Sequence, residues 1–103
     1  MAEPKYDGVV EAVHYNPDGR IDWIRLYERR GPVFSDVLLM KRDAVIAHLK
    51  AGRIFYAGER VPLLGGTFQV TKPIKILETN GREFLVAGDL NAEKDDLDGV
   101  PVI

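Results

Sequence analysis

The fold is decided in residues 6–28, YDGVVEAVHYNPDGRIDWIRLYE, where two alternating runs meet across a short turn. The turn is Asn16-Pro17-Asp18-Gly19. Proline presets φ for a reversal, Asp tolerates the next position, and Gly accepts φ > 0 because it has no Cβ. Before the turn, Val9, Val13 and Tyr15 fall on one face of an extended chain and Val10, Ala12 and His14 on the other. After it, Ile21, Trp23, Arg25 and Tyr27 alternate with Asp22, Ile24, Leu26 and Glu28 over residues 20–28. Period-two alternation on both sides of a tight reversal predicts an antiparallel hairpin.

Arg29-Arg30-Gly31-Pro32 breaks this pattern, and residues 34–40 resume it as a third strand. Over residues 42–51 the period changes: Val45, Ile46 and Leu49 share one helical stripe. Asp43 suits the positive end of a helix dipole, Lys50 the negative end, and Gly52 supplies a stop. A helix this short gains its stability from packing, so it must lie on the sheet. Further along, Ile54-Phe55-Tyr56 reads as a strand, and residues 61–64 meet 67–70 across Gly65-Gly66. Pro73 precedes another strand at 74–78, and Asn80-Gly81 joins it to a last one at 83–87. An Asn-Gly pair between alternating runs is a strong hairpin signal. About six or seven short strands and one amphipathic helix predict a mainly β, α+β fold. The expected architecture is a small SH3-like antiparallel barrel, with an open roll of two hairpin sheets as the alternative.

Composition narrows the class. The chain has 103 residues, 46% hydrophobic and 29% charged, ordinary values for one globular domain spanning residues 1–103. It contains no cysteine, which excludes disulfides, thiolate metal sites and cysteine nucleophiles and fits a reducing, cytoplasmic setting. Met1-Ala2-Glu3-Pro4-Lys5-Tyr6-Asp7 lacks the pattern of a signal peptide. Apolar runs such as Val37-Leu38-Leu39-Met40 are far too short for a membrane span, so no membrane partner is expected. The net charge of −2 is uneven: Lys94 alone opposes Asp89, Glu93, Asp95, Asp96 and Asp98 in residues 89–103. A nearly neutral body with an acidic end makes no electrostatic case for duplex nucleic acid.

That acidic end has two readings. Asn91 can cap a short helix through Leu97, with Gly99 and Pro101 as its exit, or the stretch is an ordered acidic loop. In either case Val100-Pro101-Val102-Ile103 is apolar, and segment 89–103 is expected to pack on the body or on a partner subunit. Asp89, Asn91 and Glu93 alternate as calcium-loop ligands do, but Lys94 stands where such a loop needs Gly and Val100 where it needs Glu.

No catalytic constellation is legible. Ser35, the only serine, has no glycine-rich elbow around it, and His14 and His48 lack a third ligand. Gly65-Gly66 lacks the pattern of a phosphate loop, and no carboxylate pair stands out. No catalytic residue, cofactor or metal is therefore expected. The remaining candidate is a binding face on the first hairpin: Tyr15, Trp23, Arg25 and Tyr27, with Arg20, Arg29 and Arg30 at its ends. Such residues pack cores, form protein contacts, or stack single-stranded bases beside bound phosphates. Because Ile24 and Leu26 lie opposite Trp23 and Tyr27, both faces of that strand are partly apolar and each needs a cover. The reading that asks least of the residues is a non-catalytic interaction module that self-associates as a homo-oligomer. The alternatives are a single-stranded nucleic-acid binder, and a small-molecule binder or enzyme with its site at the barrel mouth.

Overall fold

The computed structural model describes residues 6–30, 33–61, 68–88 and 94–103. The strands are β1 (Gly8–Tyr15), β2 (Ile21–Arg30), β3 (Val33–Lys41), β4 (Phe55–Arg60), β5 (Phe68–Thr79) and β6 (Arg82–Ala87). They form one six-stranded sheet in the order β3-β2-β1-β4-β5-β6, and helix α1 (Arg42–Lys50) follows β3 directly. The fold is mainly β with one short helix among the described residues, but the expected SH3-like barrel is not seen. The sheet stays unclosed, with β3 and β6 at its two ends.

Both turn signals produce hairpins. Gly19 sits at φ 90°, and its N–H donates to the Asn16 carbonyl at 2.9 Å. Asn80 and Gly81, at φ 53° and 76°, join β5 to β6 in the doubly left-handed turn that suits hairpin twist. The central pair is different: β1 and β4 run parallel, with Gly8 opposite Phe55 and Val10 opposite Ala57. Parallel neighbours need a long crossover, supplied here by β2, β3 and α1.

Bulges revise the simple alternation. The β1–β2 register passes from Val10↔Leu26 to Ala12↔Arg25, so Glu11 is an extra residue. Such an insertion shifts the phase of the strand. Val10 and Val13, which strict alternation places on opposite faces, therefore both enter the core. A second shift beside Asp22 lets Ile21 join Ile24 and Leu26 in that core, although strict alternation groups Ile21 with Trp23. Pro73 does not divide β5: pairing with β4 ends at Pro73, and pairing with β6 begins at Ile74. The missing N–H of proline falls where the strand changes partners.

Helix α1 buries Val45 completely and lays Ile46 and Leu49 against the same core. At its end Gly52 takes φ 91°, and its N–H donates to the Leu49 carbonyl. Residues 94–103 also belong to this core through Leu97 and Val100. Lys94, Asp95, Asp96 and Leu97 are not helical. Asp96 exchanges bonds with β6, donating to the Leu85 carbonyl and accepting from the Ala87 N–H. Farther on, Val13 N–H donates to the Pro101 carbonyl, and Ile103 N–H to that of Val13, each at 2.9 Å. The terminal segment thus pairs with β6 and then with the half of β1 beyond its pairing with β4. The expected loop at Gly65-Gly66, most of strand 61–64 and the start of helix 91–97 lie outside the described residues.

The opposite sheet face is held by aromatic rings. Phe34 on β3 and Phe68 on β5 approach to 4.6 Å between centroids although three strands separate theirs. Tyr27 meets Phe68 at 5.0 Å, and Tyr6 contacts both Phe34 and Tyr56. The sheet is therefore strongly curled, with one apolar cluster on each face.

The irregular β4–β5 pairing permits a sharp test. A Cβ on Gly58 would lie 2.5 Å from the Gln69 carbonyl oxygen and 2.9 Å from the Val70 Cα, both backbone. Gly58→Ala is expected to cost about 1–3 kcal/mol in urea unfolding. Gly19→Ala meets no atom and pays only for its positive φ, about 1 kcal/mol. A Gly58→Ala variant as stable as the parent contradicts this packing.

Candidate functional site

The terminal segment is fastened by one buried carboxylate. Asp95 Oδ2 accepts from the Ile21 N–H at 2.9 Å and from Arg42 Nε at 2.8 Å. Its Oδ1 accepts from the Leu85 N–H at 2.9 Å and from Arg42 Nη2 at 3.1 Å. Arg42 Nη2 also donates to the Glu83 carbonyl at 2.6 Å. One side chain thus joins the start of β2, the start of α1 and the body of β6. The Asp95 side chain is 1% exposed and that of Arg42 13%. A charge pair withdrawn this far from water is favourable only when its remaining bonding positions are filled, as they are here.

The electrostatics follow from this geometry. Burial alone pushes the Asp95 carboxyl upward, but the Arg42 guanidinium and the Ile21 and Leu85 N–H groups outweigh it, so its pKa is lowered. Arg42 is held more firmly protonated by its bonds to Asp95, against the opposing effect of burial. Tyr15 packs against the core and accepts the Leu97 N–H at its hydroxyl; burial raises its pKa and the Leu97 bond partly offsets this.

Above the pair opens a cleft of about 510 Å³ between the β1–β2 turn, the β5–β6 turn and Lys94. Arg20, Arg42, Arg82 and Lys94 line it together with Asp18, Glu83, Asp95 and Phe84. Two of these acids are paired with cations, and the third, Asp18, accepts only a backbone N–H. Asp18 Oδ1 accepts the Arg20 N–H, Glu83 pairs with Lys50 of α1 at 2.6 Å, and Asp95 is bound by Arg42.

The structure divides the candidate hairpin face. Trp23, Arg25 and Tyr27 occupy the side of β2 away from Ile24 and Leu26, whereas Tyr15 joins the core and Arg20 faces the cleft. Trp23 stacks on His14, 5.0 Å apart and 15° from parallel. Tyr27 joins the aromatic cluster, and burial, then Glu11, raises its pKa. Arg25 Nε lies 2.8 Å from Glu11 Oε1 but out of line for a hydrogen bond, so that buried N–H has no acceptor. Arg30 pairs with Glu28 at 3.4 Å, and Arg29 lies opposite Phe34 with its N–H bonded to the Asp7 carbonyl. The positive charge of this face is thus partly neutralised by its own carboxylates.

No protein-family model, curated protein or solved structure matches this chain. Its chemistry rests on its own geometry. His14 Nδ1 lies 2.7 Å from the Ile103 oxygen, while His48 sits against Phe55, so the two histidines serve separate contacts. Ser35 Oγ accepts the Glu28 N–H and donates to the Asp36 carbonyl, bridging β2 and β3. Among the described residues no three or more His, Asp or Glu side chains gather as a metal site, and no helix is long and apolar enough to cross a membrane.

The β6 edge is bridged at Val86 by Asp96, but no described strand pairs with the outer edge of β3. That strand exposes Val33, Val37 and Leu39 by 61%, 44% and 65%. Val37 and Leu39 were legible as apolar residues, but their exposure depends on β3 being an edge.

The Asp95 pair predicts a pH dependence. Because its folded pKa is depressed, the pair stabilises fully above the free aspartate value of about 4, and this contribution fades as pH falls through the lower folded value. Asp95→Asn is expected to lose about 3–5 kcal/mol at neutral pH, since it leaves Arg42 buried and unpaired. Its urea midpoint should also fall less than the parent's between neutral pH and pH about 3. Parallel pH profiles for parent and variant would remove Asp95 from this role.

Proposed function

We propose that this chain is a non-catalytic, cytoplasmic interaction module that pairs with a second copy of itself along the outer edge of β3. The observation that carries the reading is an edge strand of nine residues whose outer side has no partner among the described residues, with Val33, Val37 and Leu39 exposed. An edge of this kind is a template for another strand, and soluble proteins usually blunt it with lysine, proline, bulges or a covering element. Between Val37 and Lys41 the β3 backbone pairs regularly with β2, and its outward N–H and C=O groups alternate toward the open side.

The sequence of β3 is self-complementary in an antiparallel register. A two-fold axis at Leu38 sets Val37 of each copy opposite Leu39 of the other, on the face away from the core. Leu38 then faces its own copy, and Ser35 and Asp36, at the irregularity beside Glu28, lie outside this regular ladder. Covering an exposed Val or Leu contributes up to about 1.5–3 kcal/mol, so four such side chains and a short backbone ladder support a weak but specific dimer. A nucleic-acid role draws less support, because Arg25 and Arg30 are already paired with Glu11 and Glu28.

Sedimentation velocity over a concentration series tests the reading. The parent is expected to shift from monomer to dimer between micromolar and millimolar concentration. A Val37→Lys, Leu39→Lys double variant is expected to remain monomeric with an unchanged circular dichroism spectrum. A parent that stays monomeric throughout, or a double variant that dimerises equally well, overturns it.

A further inference from the structure

We infer that the cleft between the β1–β2 and β5–β6 turns binds a small ring-bearing phosphate monoester. Three cations converge there without a described carboxylate partner: Arg20, Arg82 and Lys94. Each stands on anchored backbone. The Arg20 N–H is held by Asp18 Oδ1 at 2.9 Å, Arg82 opens β6 opposite Thr79 after the Asn80-Gly81 turn, and Lys94 precedes the immobilised Asp95. Guanidinium groups can grip phosphate oxygens in pairs, and lysine adds a mobile point charge.

The fourth cation, Arg42, is already spent on Asp95 and the Glu83 carbonyl, so it forms a nearly neutral floor. Glu83 pairs its carboxylate with Lys50, which removes one competitor for the cations and leaves Asp18 as the carboxylate that lines the cleft beside them. Phe84 supplies an apolar wall beside them, and the cleft volume of about 510 Å³ lies within the range of small-molecule sites. Three available cations next to one aromatic ring match a ligand with a doubly charged phosphate at one end and a ring at the other. This inference is independent of pairing through β3.

Amide NMR of the full chain tests it, with phenyl phosphate and inorganic phosphate as probes and sodium chloride at matched ionic strength as control. Phenyl phosphate is expected to give saturable shifts at Arg20, Arg82, Phe84 and Asp95, and to bind more tightly than inorganic phosphate. Arg20→Gln and Lys94→Gln, two variants at solvent-exposed positions, are each expected to weaken binding about tenfold without moving the thermal midpoint. Shifts that sodium chloride reproduces, shifts that never saturate, or affinities unaltered in both variants would overturn the assignment.

Discussion

The bond from Asp95 to Arg42 is the constraint on which the other arrangements rest. A carboxylate this deeply buried is stabilising only when all of its acceptor positions are answered, and four donors from three elements answer them. Meeting that requirement fixes where β2 begins, where α1 leaves β3 and how the terminal segment crosses β6. It also places Leu97 and Val100 in the core, where their burial adds to the electrostatic attachment. The first turn of α1 lacks a side-chain cap, so its attachment through Arg42 substitutes for the missing local anchor.

Fastening the terminal segment settles the sheet edges. Asp96 bridges to Val86, and Val102 lies beside Val13 where β1 has parted from β4. Two lengths of exposed backbone are thereby covered by one segment. The outer edge of β3 receives no such cover from the described residues, and it is the edge that carries exposed Val37 and Leu39. The same fastening brings Lys94 toward Arg20 and Arg82 around the cleft. The ion pair and the cleft that Lys94 helps to line are consequences of one arrangement of the chain end.

Local signals made the hairpins readable. Asn16-Pro17-Asp18-Gly19 and Asn80-Gly81 specify backbone conformations within a few residues, and the stripe of Val45, Ile46 and Leu49 specifies a helix in the same way. The parallel β1–β4 pair carried no such signal, because its partners meet only after an intervening hairpin and helix. Glu11 and Asp22 looked like ordinary members of alternating strands, so the bulges that bring Val13 and Ile21 into the core were hidden. Asp95 was the most deeply concealed: it stands in an acidic run that reads as a solvated surface, and Arg42 is 53 residues away. The apolar stretch Val100-Pro101-Val102-Ile103 pointed to a packed segment, but of it only Val100 is buried, and Leu97 joins it in the core. Of the proposed binding face, Trp23, Arg25 and Tyr27 do share a side of β2. Alternation could not show that Tyr15 would turn inward or that Glu11 would meet Arg25.

The proposed meeting of two copies through β3 is open to an isotope-filtered NOE experiment on a mixture of labelled and unlabelled protein. Pairing along β3 would give intermolecular contacts between the methyl groups of Val37 in one copy and Leu39 in the other. Intermolecular contacts confined to Val102 and Ile103, or none in a sample shown to be dimeric, would contradict pairing along β3.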